Sequence, residues 1–343
     1  DKLSRISSAI CLPANVTQEL IDVAREQLLL EATGTLKATA DREMGYQLTD
    51  NGKARALDAL AQSEYYGAMP VPLRIYHQQI KRQSIRDIQI TREQLSSSMG
   101  HLVLPDDLIS NLGPAVSSGR SILMYGPPGN GKSSISNGIR DALGDKIYVP
   151  RAVSYSGQVI TVYDPIVHSA AEEQVEDPTA LRRSGNRFDT RYVRCERPTV
   201  ITGGELTLEM LDLNYNAVAR TYQAPLQMKA TGGVFIVDDL GRQAETPQAL
   251  INRWIVPLEE GKDILSLQSG EKFEVPFDTL VIFSTNFHPN DIFNSVYANY
   301  QPVFLIDQMI AICEFEGIPY QMTPELIDRA WSNMFVKHEA IVK

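Results

Sequence analysis

The stretch Ile122–Ser136, "ILMYGPPGNGKSSIS", decides how the rest of the chain is read. It fits the spacing G-x-x-x-x-G-K-[ST] through Gly126, Gly131, Lys132 and Ser133. That pattern alone occurs by chance, so its surroundings matter. Ser121–Tyr125 is a short apolar run with the character of a strand. Ser133–Leu143 has helical periodicity and stops at Gly144, a favoured residue just past a helix end. Strand, glycine loop and helix therefore follow in the order that phosphate binding requires. Glycines let backbone N–H groups turn toward the phosphates, and the helix start adds its positive dipole end. On this reading Gly126, Pro127, Pro128, Gly129, Asn130, Gly131, Lys132, Ser133 and Ser134 bind ATP. Lys132 neutralises the β- and γ-phosphates, and Ser133 offers its hydroxyl to Mg²⁺.

Two further stretches supply what such a loop lacks. In "GGVFIVDDL", Val234–Val237 form a continuous apolar run suited to a central parallel strand, and Asp238 and Asp239 stand at its carboxyl end, where ligands bind in such sheets. Asp238 is the expected Mg²⁺ carboxylate, and Asp239 the group that orients or deprotonates the attacking water. "TLVIFSTN" is a second apolar strand, ending in Asn286, whose amide is expected to meet the γ-phosphate or that water. Lys132, Asp239 and Asn286 are thus the candidate catalytic residues.

With these three elements the chain resembles the AAA+ ATPases: "GPPGNGKSS" is similar to their Walker A loop, "VFIVDD" to the Walker B strand and "FSTN" to the sensor-1 strand. The resemblance runs from about Leu102 to the C-terminus and includes "LVLPDDLISNLGPAVSSGRSILMYG", which looks like the helix preceding the loop. "GGELTLEMLDL", "APLQMKATGGVFIVDDLGRQ", "LINRWIVPLEEG" and "TPELIDRAWSN" resemble a MoxR-like bacterial group within that family. The resemblance implies an α/β P-loop NTPase fold, a parallel sheet sandwiched by helices, with a small C-terminal helical lid. It also implies a homo-oligomer, a hexameric ring with ATP at subunit interfaces.

The chain departs from that pattern in four places. Asp239 stands where the family has Glu, and the shorter side chain reaches about 1.5 Å less far, which is enough to slow a geometry-sensitive step. No arginine occurs between Arg253 and Arg329, so without a further segment after Asn286 an arginine reaching a neighbouring subunit's phosphate has to be Arg242 or Arg253. Val303 stands where the family has a sensor-2 arginine. The short spacing from Asn286 to "QPVFLIDQMI" implies that several dozen residues, a fifth strand and part of the lid, belong between about Phe293 and Val296.

Upstream, residues 1–68 read as a short helix, a turn at Pro13, a longer amphipathic helix from about Val16, a strand, an Asn51-Gly52 turn and another helix. "YQLTDNG", from Tyr46 to Gly52, resembles the strand-to-helix step of winged helix-turn-helix proteins, which implies a small α+β domain. Residues 1–66 hold seven Lys/Arg against ten Asp/Glu, and the presumed recognition helix carries Glu19, Asp22 and Glu26 against Arg25 alone. Phosphate contacts dominate DNA affinity, so DNA binding is not favoured and a protein partner is. Residues 69–100, with Pro70, Pro72 and the basic Arg74, Lys81, Arg82 and Arg86, read as a solvated linker leading into a helix.

The sheet domain is expected over 101–293, with residues 147–232 as an enlarged insertion, and the lid over 294–343. Within the insertion "KIYVPRAVSYSGQVITVYD" alternates like a hairpin turning near Ser156-Gly157. "AAEEQVEDP" is acidic and "LRRSGNRFDTRYVRCERP" basic, the pattern of solvated loops of opposite sign. Tyr155, Tyr215 and Tyr222 are candidate pore tyrosines, with packing as the alternative reading.

The 343 residues allow about two to three domains. Three scattered cysteines and five scattered histidines form neither a disulfide framework nor a zinc site. A net charge of −10 argues against a broad nucleic-acid surface. No apolar run is long enough to cross a bilayer and no signal pattern opens the chain, so a cytoplasmic protein without membrane insertion is expected. The expected activity is ATP hydrolysis that remodels or regulates a protein partner. The alternatives are an ATP-switched DNA-binding regulator and a hydrolysis-poor, nucleotide-gated scaffold.

Overall fold

In the computed structural model, which describes residues 1–35, 44–88, 90–102, 104, 106–117, 119, 121–129, 131–171, 189–287, 301–320 and 322–334, two helices open the chain. They are α1 (Leu3–Ile10) and α2 (Ala14–Glu26), followed by an antiparallel pair, β1 (Leu30–Thr35) and β2 (Met44–Leu48), and by α3 (Asp50–Gln62). Asn51 and Gly52 do not form a turn; they lie in the first turn of α3. The cause is Thr49, whose Oγ1 accepts the Gly52 N–H at 3.0 Å and caps the helix. Glycine is needed there because a Cβ would stand 2.0 Å from the Leu29 carbonyl oxygen.

These elements are bonded to the rest of the chain. Met69 donates its N–H to the Ile10 carbonyl at 2.8 Å, and Glu64 donates to that of Ala219 at 2.9 Å. Arg220 donates to the Leu60 and Ala61 carbonyls at the end of α3, the end where the helix dipole favours a cation.

The segment expected to be a solvated linker is packed structure. β3 (Val71–Pro72) and α4 (Leu73–Arg82) bury Val71, Tyr76 and Ile80, while Arg74, Lys81 and Arg82 face solvent. The basic residues mark only the outer face of an amphipathic helix. Ile85, Ile90, Leu95 and Met99 then join the core beneath the glycine loop's helix, with α5 (Arg92–Ser98) started by a capping box of Thr91 and Gln94.

α6 (Asp106–Ser117) leads into β4 (Ser121–Tyr125) and α7 (Lys132–Ala142). A β-rich region follows: β5 (Lys146–Pro150), β6 (Ala152–Tyr155), β7 (Gln158–Thr161), β8 (Tyr192–Glu196), β9 (Thr199–Thr202), β10 (Asn214–Asn216) and β11 (Thr221–Gln223). β6 and β7 form the expected hairpin, and Ser156 (φ 49°) and Gly157 (φ 74°) supply the positive dihedrals of its tight turn. With β3, β10 and β11 they make a five-stranded sheet ordered β10-β11-β7-β6-β3. Next come α8 (Leu226–Lys229), β12 (Val234–Val237), α9 (Pro247–Glu260), the hairpin β13 (Lys262–Ser266) and β14 (Lys272–Pro276), β15 (Leu280–Thr285), α10 (Gln301–Glu316) and α11 (Pro324–Met334). The acidic and basic runs of residues 172–188 and the spacing question around 293–296 lie outside the described residues.

The sheet that carries the site is parallel throughout, in the order β4-β15-β12-β9. Every side chain of β12 and β15 is buried, as continuous apolar runs covered on both faces require. β9 lies within 147–232, so that stretch is not one insertion; it contains an edge strand of the central sheet and is β-rich on both sides of it. One face of the sheet packs under α5, α6 and α7 through Ile122, Ile135, Ile139, Ile236 and Ile282. The other packs on α9 around Trp254, whose ring meets Phe235, Phe277 and Phe283 at centroid distances of 4.9, 5.6 and 6.3 Å. Trp254→Ala is expected to cost about 3–5 kcal/mol, read from the denaturant midpoint.

α10 lies on α6, with Phe315 against Gly113, where a Cβ would come within 2.0 Å of the ring. Arg329 of α11 holds Glu316 at 2.6 Å and the Ser110 carbonyl at 3.2 Å. The side chain of Val303 is not among those described.

His168 ties the β-rich region to α8. Its Nδ1 accepts the Asp164 N–H at 2.9 Å and its Nε2–H donates to the Lys229 carbonyl at 2.9 Å, while the ring stacks on Tyr163. Burial holds its pKa below the ordinary histidine value, outweighing the hydrogen bonds that raise it. As pH falls through about 6.5 the unfolded chain takes up a proton that the folded chain resists, so stability declines. Thermal midpoints between pH 7.5 and 5.5 should fall more steeply for the parent than for His168→Asn.

Candidate functional site

β4 ends at Tyr125, in register with Thr285 of β15, and the chain leaves the sheet at its carboxyl edge. Gly126, Gly129 and Gly131 take φ of 149°, 89° and 74°, backbone that glycine adopts freely. Gly131 caps α7 and, having no side chain, brings no acceptor of its own to the helix's first N–H groups. A Cβ on Gly129 or Gly131 would meet nothing within 4 Å, so the loop is open on that side. Pro127, Pro128, Gly129, Gly131 and Ser133 are exposed, and Lys132 and Ser134 half-buried. Asn130 lies outside the described residues. The Lys132 ammonium donates to the carbonyls of Gly126 (2.9 Å) and Pro127 (3.1 Å) and to Oδ1 of Asn286 (2.9 Å).

Asp238 leaves the end of β12 toward α7. Its Oδ2 accepts the Ser133 hydroxyl at 3.1 Å, and its Oδ1 accepts both the Asp239 N–H at 3.0 Å and the Ser284 hydroxyl. Asp239 sits in the left-handed region at φ 51°, where Asp is among the few non-glycine residues tolerated. This backbone gives a physical reason for Asp rather than Glu. Asp239 Oδ1 accepts the Asn286 Nδ2–H at 2.8 Å, and its other oxygen lies 3.8 Å from Arg242.

The turn after β12 is held in place by its neighbours. Leu240 donates its N–H to the Ser284 carbonyl at 2.8 Å and accepts from Thr285 Oγ1 at 2.9 Å. Gln243, buried, accepts from the Gly241 N–H and donates to the carbonyls of Gly203 and Asp238. Beside it Glu205 accepts the Gly203 N–H at 2.8 Å, which holds its carboxyl below the usual range.

Strand order explains the convergence. β15 lies between β4 and β12, so Asn286 at its tip stands between Lys132 on one side and Asp239 on the other, bonded to both. The group fits a triphosphate with a divalent cation. It offers an ammonium, a helix start with glycine at its cap, and a hydroxyl beside a carboxylate, the last two being hard oxygen ligands of the kind Mg²⁺ takes alongside phosphate and water. Among the described residues no three His, Cys, Asp or Glu gather to hold a metal on their own. The ammonium and the Ser133 hydroxyl already have protein acceptors, which phosphate and metal would have to replace.

The two candidate arginines part company. Arg242 is 65% exposed and stands at the site's rim. Arg253 is drawn into the protein by Asp263 (2.8 and 3.0 Å), which is itself buried, and by the Leu211 carbonyl at 3.0 Å. The tyrosines pack as well: Tyr222 is buried, accepts the Gln268 N–H and lies 4.9 Å from Tyr215, while Tyr155 stacks on Phe273 and donates to Glu271. No sequence motif marks Ser284 or Gln243 as part of this site. Ser284 carries one faint signal, standing two residues before Asn286 and so on the same face of the strand.

Fold and site define a mixed α/β chain with a parallel sheet, at whose carboxyl edge a glycine loop, two carboxylates and an asparagine meet. Residues 271–333 match a family described as a domain of unknown function (DUF8689); the match takes in β14, β15 with Ser284 and Asn286, and α10. No curated protein matches. Among solved structures the chain is similar to the complex between subunits BchI and BchD of magnesium chelatase, at 13% identity and a TM-score of 0.36, with 73% of this chain and 70% of that one covered. It is also similar to NtrX from Brucella abortus, at 13% identity and a TM-score of 0.29, covering 91% of this chain and 52% of NtrX, about half that protein's length. No helix among the described residues is long and apolar enough to cross a membrane.

Proposed function

We propose that the chain is an ATPase of the AAA+ class, of the MoxR-like kind, that binds ATP with Mg²⁺ at the loop Gly126–Ser134 and hydrolyses it. The observation that carries this reading is the bridge made by Asn286 between Lys132 and Asp239, which joins the three strand ends into one site. Lys132 and the N–H groups at the start of α7 hold the β- and γ-phosphates, and Ser133 and Asp238 hold the cation. Mg²⁺, when bound, neutralises charge on the β- and γ-oxygens and fixes their geometry. Asp239 accepts the proton of a water whose oxygen bonds to the γ-phosphorus as the bond to the departing ADP oxygen breaks. Asn286 holds that water by its amide.

The exposed Arg242 is the residue we assign to a neighbouring subunit's phosphate in a homo-oligomeric, hexameric ring, since Arg253 is committed internally. The α10–α11 pair serves as the helical lid. The N-terminal elements, a winged-helix-like module, recruit a protein partner that turnover remodels. Glu19, Asp22 and Glu26 are all exposed on α2, a surface that repels DNA phosphates.

The test is Mg²⁺-dependent ATP turnover measured against protein concentration. A rate per chain that rises cooperatively supports an assembled ATPase. ATP binding without turnover at any concentration would leave a nucleotide-gated scaffold and remove the hydrolase.

A further inference from the structure

We infer that Ser284 is a positioning residue for the proposed cation site, setting which oxygen of Asp238 is presented to the metal; the inference rests on the nucleotide reading above. Ser284 is completely buried in β15, the strand adjoining β12. Its hydroxyl donates to Asp238 Oδ1, which the Asp239 N–H also engages at 3.0 Å. Two donors therefore hold Oδ1. Oδ2 is left to Ser133 Oγ, 3.1 Å away.

The strand's period of two places this hydroxyl. Ser284 shares a face with Ile282, which packs in the core beneath α7, and with Asn286, so the same face offers a hydroxyl to one carboxylate and, one step on, an amide to Lys132 and Asp239. Thr285, on the opposite face, bonds the Leu240 carbonyl instead. The Ser284 carbonyl accepts the Leu240 N–H, so the residue fixes both the carboxylate and the turn that follows it.

A hydroxyl used only for packing would not need a carboxylate acceptor. A donor to the non-ligating oxygen of a metal-binding carboxylate is the arrangement by which outer groups orient ligands, and removing such a donor commonly weakens metal affinity about 10–100-fold.

The experiment is equilibrium titration of the full chain with ATP, in EDTA and across a Mg²⁺ series, for the parent, Ser284→Ala and Ser284→Thr. In EDTA, Ser284→Ala should bind ATP within about twofold of the parent, which also reports an intact fold. The Mg²⁺ concentration that half-restores tight binding should rise about tenfold or more in Ser284→Ala and stay near the parent value in Ser284→Thr, which keeps the hydroxyl. An unchanged Mg²⁺ midpoint in Ser284→Ala, beside a clear Mg²⁺ response in the parent, overturns this inference alone. ATP binding weakened equally with and without Mg²⁺ also overturns it, because the loss is then structural. A parent that binds ATP but is indifferent to Mg²⁺ overturns the cation site and this inference with it, and a parent that binds no ATP under either condition overturns the nucleotide reading as well.

Discussion

Asp239→Asn should lower Mg²⁺-dependent ATP turnover at least about 100-fold while leaving ATP affinity within about threefold of the parent, the signature of a group that acts in the transition state only. The substitution keeps the size of the side chain and gives up only the exposed ion pair with Arg242. Asn tolerates the left-handed backbone at φ 51° as well as Asp does, and its carboxamide oxygen can still accept the Asn286 Nδ2–H. What disappears is the negative charge and the capacity to take a proton from water. Steady-state turnover paired with a binding isotherm separates the two effects. Affinity falling as far as turnover would place Asp239 in binding rather than in chemistry.

Lys132→Ala should weaken ATP binding by about two orders of magnitude or more, since each hydrogen bond to a charged group contributes roughly 1.5–3 kcal/mol and the ammonium serves two phosphates. The same change removes the bonds to Gly126, Pro127 and Asn286, so the loop loses its internal tie as well. Lys132→Arg should not restore the parent affinity, because a planar fork cannot replace a compact ammonium that meets three converging oxygens. Calorimetric titration reads the loss, and a thermal melt distinguishes it from unfolding.

The parts of this chain that sequence reveals are those whose physics is local. β12 and β15 announce themselves as unbroken apolar runs because both faces are covered, and the glycine loop because only glycine takes its dihedrals. The hairpin at Ser156-Gly157 is legible from the alternation of its strands and from the glycine at its turn. Features set by distant partners are not. The Asn51-Gly52 pair has the look of a turn, yet Thr49 captures it into a helix. The basic residues of α4 hide a stripe that only the β-rich sheet makes necessary. Thr199–Thr202 is too short a run to declare itself a strand of the main sheet until β12 is beside it. Arg253 looks as available as Arg242 until Asp263 is folded against it, and the role of Ser284 depends on a carboxylate 46 residues away.

The most direct test of the account is an equilibrium titration of the chain with ATP in the presence of Mg²⁺, alongside Lys132→Ala. The expected result is saturable binding at one site per chain that the substitution weakens about 100-fold or more. No saturable binding by the folded parent up to millimolar ATP, or binding that Lys132→Ala leaves unchanged, would contradict it.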